Sequence, residues 1–141
     1  MSFENYIDQQ ARRAEQVMIN TLNRVGQLAV NEARDNGSYE DQTANLRSSI
    51  GYVVVKDGQV LSASNFEQVE GKEKSKETPG NIQGEAFANQ IARQTSGLAL
   101  IVVAGMNYAK YVEAHRNVLT SAELLSEKLV PDLLRKIGFK V

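Results

Sequence analysis

Few residues in this chain could do chemistry. His115 is the only histidine, and there is no cysteine. A histidine can ligate a metal, but the only other ligands here are carboxylates, and none stands at a recognisable ligand spacing from it. Ser48 and Ser49 would need His115 beside them to act as a hydrolase nucleophile. The strand-to-helix glycine pattern that exposes such a serine is absent, and both serines follow a helix-cap pattern instead. Asn36-Gly37, Gly80 and Gly84 are spaced as turn punctuation, not as a phosphate-binding loop. No cofactor and no metal is therefore expected. His115 reads as a polar loop residue.

Arg47 and Glu113 are the charged residues of most interest, because each stands among apolar neighbours. A buried guanidinium needs a carboxylate partner, since an unpaired buried charge is costly. Glu113 is the proposed partner of Arg47, which would make the pair structural or interfacial. The alternative is that both face solvent.

The elements that would position these residues follow from periodicity. Residues from about Glu4 to Asp35 form one long helix, with Ile7, Ala11, Ala14, Met18, Leu22, Val25, Ala29 and Ala33 recurring at steps of three and four. Gln9, Arg13, Gln16, Asn20, Asn23 and Asn31 line the opposite face. Gly26 inside it marks a tight crossing, because glycine costs a helix about 1 kcal/mol against alanine. A helix this long outruns the core of a small domain. Either part of it faces another subunit, or it lies across the sheet as a simple amphipathic helix.

The stretch Asp41 to Val55 is the hinge between that helix and a sheet. Asp41 or Thr43 can cap a short helix. Leu46 and Ile50 share its inner face, and Gly51 ends it before a β-branched strand. Tyr52–Lys56 and Gln59–Phe66 form a hairpin about an Asp57-Gly58 turn. Residues 67–83, with charges alternating in sign and Pro79-Gly80 at the end, read as a mobile loop or an arm that orders against a neighbouring protein. Gly84–Thr95 forms a short helix with Phe87, Ala88 and Ile91 inward. Leu98–Ala104 is a central strand covered on both faces, and Gly105 ends it. Tyr108, Tyr111 and Val112 line one side of a further short helix. Thr120 to Glu123 form a capping box for a last helix, with Leu125, Leu129, Leu133 and Ile137 on one face. Pro131 is expected to kink it or start a new turn. The fold class is α+β: a single domain over 1–141, with a small, mainly antiparallel sheet packed by long N- and C-terminal helices.

Two of these segments also carry a resemblance. The run Thr43, Asn45, Leu46, Arg47, Ser48, Ile50 and Gly51 before a strand resembles the start of the core in phage tail-completion (head–tail joining, or neck) proteins of long-tailed phages. That family usually has Thr-Gly where this chain has Thr43-Ala44. The run Gly105, Met106, Asn107, Tyr108, Ala109, Lys110, Tyr111, Val112, Glu113 is similar to the family's strand followed by a Tyr-Ala-x-Tyr-Val-Glu helix. Order and spacing agree, and the likeness covers most of the chain. It implies a structural virion protein at the head–tail junction and not an enzyme. Such a subunit would be made in the host cytoplasm and assemble edge to edge into a ring, with six subunits favoured. Its partners would be other neck and tail-tube proteins, with DNA passing through the channel unrecognised. Arg47, Glu113, Leu46, Ile50, Tyr108 and Tyr111 are the structural or interface candidates.

Composition agrees with a globular domain and restricts the alternatives. Of 141 residues, 42% are hydrophobic and 23% charged, which is ordinary. The formal net charge of -1 gives no bulk attraction to nucleic acid. Basic residues such as Arg12, Arg13, Arg93, Arg116 and Lys128 are scattered among acids. Ser2–Gln10 is too polar for a signal peptide, and Leu98–Ala104 is too short to span a bilayer. Two other classes stay open: a small cytoplasmic enzyme with ungrouped carboxylates, and a host binding module with one exposed apolar patch.

Overall fold

A computed structural model of the chain describes residues 2–36, 49–64, 80–112 and 122–139. The helix α1 (Phe3–Asn36) is followed by strands β1 (Gly51–Lys56) and β2 (Gln59–Ala63). Then come helix α2 (Gly80–Arg93), strands β3 (Leu98–Ala104) and β4 (Asn107–Val112), and helix α3 (Ala122–Lys136). The strands form one sheet in the order β2-β1-β3-β4, antiparallel throughout. The architecture is α+β, with the N- and C-terminal helices packed on the sheet.

Helices cover both faces of the sheet, so the two central strands are apolar at nearly every position instead of alternating. Tyr52, Val54, Leu100 and Val102 point to the side of α1 and α3, in a core with Leu22, Val25, Ala29, Leu133 and Ile137. Val53, Val55, Ala99, Ile101 and Val103 point the other way, onto Ala88, Ala92, Phe87 and Ile91 of α2. The register Val53↔Ile101 and Val54↔Leu100 sets like-facing residues opposite one another.

The turns follow from residues that tolerate positive φ. Asp57 (φ 49) and Gly58 (φ 84) both adopt it, as a two-residue hairpin turn matched to strand twist requires. Asp57 Oδ1 also accepts a bond from Gly97 N–H at 2.7 Å, tying this turn to the start of β3. At the C-terminus Gly138 (φ 104) closes α3. Phe139 N–H donates to Leu134 O, and Gly138 N–H donates to Arg135 O. This is the paired bonding of a Schellman cap, and it satisfies carbonyls that the helix end leaves open. Phe139 and Leu134 are both buried beneath it.

Two expectations are corrected. Asn107–Val112 is a strand, not a helix. A two-residue connection with Gly105 at positive φ sends the chain back along β3, and six residue pairs hold it there. Successive side chains therefore alternate between faces. Ala109 and Tyr111 join the core under α1 and α3, while Tyr108 sits on the α2 side. Tyr108 and Tyr111 thus do not share a face. Second, α2 begins at Gly80, so the last residues of the expected 67–83 loop are helical. α3 contains Pro131 within its bounds Ala122–Lys136. Proline lacks the N–H that would bond back to the preceding turn, but tertiary packing of Leu133, Leu134 and Ile137 holds the helix together.

Candidate functional site

The described parts of the two segments that carry the resemblance meet in space at Ser49 and Gly105. Ser49 is buried just before β1, and its Oγ accepts a hydrogen bond from Gly105 N–H at 2.6 Å. α2 crosses at the same point. A Cβ on Gly84 would run into the Ser49 carbonyl, so only glycine allows that approach. On the other side Arg34 of α1 donates through Nη2 to the Ile50 carbonyl at 2.8 Å. Ser49-Ile50 is therefore where α1, α2, β1 and the β3–β4 turn converge.

The candidate residues fall on both sides of that junction. Ile50 is fully buried in the main core. Tyr111 packs against the same core on the inward face of β4. Tyr108 is exposed on the α2 side, and its ring meets Phe87 edge to face at 5.9 Å between centroids. Leu46, Arg47 and Glu113, and with them the proposed Arg47–Glu113 pair, lie outside the described residues. So do His115, the Thr120 capping box and 67–79 of the expected arm.

Sequence reasoning missed a polar cluster at the helix–sheet crossing. Asn23 reads as part of the outer face of α1, yet its Oδ1 accepts from Ser62 Oγ at 2.7 Å and from Tyr52 Oη at 3.2 Å. Burial pushes the Tyr52 phenol above its ordinary pKa. Gly26 lies directly over the Tyr52 ring. A Cβ there would be 2.6 Å from Tyr52 Cγ and 2.9 Å from Leu100 Cδ1. The tight crossing that Gly26 signalled is therefore present, with Tyr52 as its partner.

As the length of α1 suggested, the described residues leave its N-terminal part uncovered. From Leu22 onward its apolar face is buried. Glu15 pairs with Lys56 at the far end of β1. The Glu15 hydrogen bond, and then its charge, raise the Lys56 pKa. Beyond that pair α1 continues past the sheet to Phe3, about 18 Å at the helical rise per residue. There Phe3 is 77% exposed, Tyr6 53% and Ile7 49%, and Val17, just inside the pair, is 62% exposed. Ser2 caps this arm, its Oγ accepting from Asn5 N–H at 3.2 Å.

The sheet edges also carry exposed apolar residues. β2 shows Val60 and Leu61, and β4 shows Tyr108 and Val112, with Met106 in the turn between β3 and β4. They differ in regularity. The β1–β2 register shifts between Val54 and Val55, whereas β3–β4 pairs without interruption from Ala104↔Asn107 to Ala99↔Val112. A bulge blunts an edge against further pairing, so among the described residues β4 is the more regular edge of the two.

Among the described residues no group of three or more His, Asp or Glu could hold a metal ion. No helix there is long and apolar enough to cross a membrane. The arrangement offers surfaces for contact: a helical arm and an unbulged strand edge. Comparison with family models, with curated proteins and with solved structures gives no match to this chain.

Proposed function

We propose that this chain is a structural subunit of the head–tail junction of a long-tailed phage, a tail-completion or tail-terminator-like protein that assembles into a ring. The observation that carries the reading is the meeting of Ser49 and Gly105, which brings together the two sequence segments that resemble the neck family. The uncovered arm of α1 and the regular β4 edge support it. A small domain that leaves this much apolar surface in water offers it to a partner. Two different patches on one subunit are what a closed ring requires, since each contact joins unlike surfaces. Function on this reading is assembly and not catalysis, and DNA passes the ring without being recognised.

The test is the protein content of phage particles released by the source strain. Particles purified through a density gradient should yield peptides of this chain in near-stoichiometric ratio to other neck components by quantitative mass spectrometry. Presence in the lysate with absence from particles would overturn the proposal.

A further inference from the structure

We propose that Asp57 is a latent modification site, an aspartate-to-isoaspartate conversion that a clasp with Gly97 holds shut in the folded chain. The proposal stands apart from the assembly reading and is tested on the free chain.

The chemistry starts from the sequence. Asp57-Gly58 is the chain's only Asp-Gly pair. Of the residues that can follow an aspartate, glycine leaves its own amide nitrogen least hindered, because it has no side chain. The Gly58 nitrogen attacks the Asp57 carboxyl carbon, and a new carbon–nitrogen bond closes a five-membered imide. The Gly58 amide proton and the carboxyl hydroxyl leave as water. A second water then opens the ring. Breaking the bond at the side-chain carbonyl restores aspartate. Breaking it at the main-chain carbonyl routes the chain through the side chain, as isoaspartate. No oxidant or reductant enters.

The fold opposes ring closure at this position. Closure has to bring the carboxyl carbon onto the Gly58 nitrogen. Asp57 Oδ1 instead accepts from Gly97 N–H at 2.7 Å, and Asp57 N–H donates to Gly97 O at 3.1 Å. This pair of bonds holds the side chain and the main chain of Asp57 to one residue at once. Gly97 meets both at φ 75, in the left-handed region. The turn is set against the reaction as well. Asp57 and Gly58 both hold positive φ, and the imide locks the Asp57 ψ away from the value that such a two-residue turn needs. Gly58 is also confined, since a Cβ there would stand 3.3 Å from the Arg93 carbonyl oxygen. Asp57 itself is exposed, so water reaches a ring once it forms. Opening of the clasp is therefore the limiting event. The product does not fit the fold. Isoaspartate adds a main-chain carbon to a turn that the Lys56↔Gln59 pairing limits to two residues.

Heavy-oxygen water reads the reaction directly, because each ring that opens leaves one solvent oxygen at position 57. Peptide mapping of the full chain should show label entering Asp57 about tenfold or more slowly in the folded chain than in the same chain in urea. Gly97→Ala strains the clasp at its positive φ and should speed entry severalfold. Gly138→Ala, which strains the distant C-terminal cap, should not. Equal entry in folded and unfolded chains overturns the proposal. So does equal acceleration by the two glycine variants, which would assign the protection to global folding alone. If Gly97→Ala does not fold, the unsubstituted chain decides in mild urea. Label should then enter in step with hydrogen exchange of the Gly97 amide. Entry only in step with exchange of the Leu100 amide, in the central strand, overturns the proposal.

Discussion

Ser49 Oγ and Gly105 N–H are joined by a hydrogen bond of 2.6 Å across 56 residues of sequence. It is the bond that connects the entry to β1 with the turn between β3 and β4. Ser49→Ala leaves the part-buried Gly105 amide without that acceptor, which costs about 1 kcal/mol. Urea unfolding should show the midpoint falling with the slope unchanged. Ser49→Thr, which keeps the hydroxyl, should recover part of the loss.

Gly26→Ala separates helix propensity from packing. Propensity alone predicts a gain of about 1 kcal/mol. The close approach of Tyr52 Cγ and Leu100 Cδ1 predicts the opposite, because neither ring root nor sheet can withdraw freely. The expected result is a net loss of about 1–3 kcal/mol. A stabilised variant would mean the helix rides higher on the sheet.

Stability should fall on the alkaline side. Both Tyr52 and Lys56 hold their protons more tightly when folded, Tyr52 through burial and Lys56 through Glu15. A group whose pKa is raised on folding contributes stability below its unfolded pKa of about 10, and that stability is lost as pH rises through the folded value. Melting temperatures between pH 9 and about 11.5 should therefore decline. Tyr52→Phe and Glu15→Gln should each flatten the decline. Glu15→Gln should do little at neutral pH, because an exposed ion pair is screened by solvent and contributes little.

The C-terminal cap is structural. Phe139→Ala removes a buried ring behind the Schellman turn and should cost about 3–5 kcal/mol. Gly138→Ala should cost less, through its positive φ alone. Thermal unfolding of the two variants side by side checks the ranking.

Much of this fold could be read from local pattern, because local pattern decided it. Leu98–Ala104 has no polar residue and became the central strand with those bounds. Asp57-Gly58 turned as its chemistry demands. Where reading failed, a distant partner decided. Tyr108, Tyr111 and Val112 fit one side of a helix and equally fit alternate faces of a strand, and the open edge of β3 selects the strand. The periodicity of α1 runs unbroken from Ile7 to Ala33, so it could not mark where cover ends. That point is set by the length of β1, at the Glu15–Lys56 pair. Asn23 sits at an outward spacing, and only the Tyr52 and Ser62 hydroxyls beneath it reveal an inward role. The tyrosines of the candidate set were found but assigned to one surface, while Arg47 and Glu113 fall outside the described residues.

One helix here spans two regimes of protection. The amides of α1 around Val25 and Ala29 sit over the packed core and can exchange with deuterium only when the domain opens as a whole. Those around Ile7 and Ala11, a few turns away along the same hydrogen-bonded ladder, exchange through fraying alone. A helix so divided reports occupancy from within. Slowing of exchange confined to its first four turns would register the arrival of a partner before any change reached the sheet.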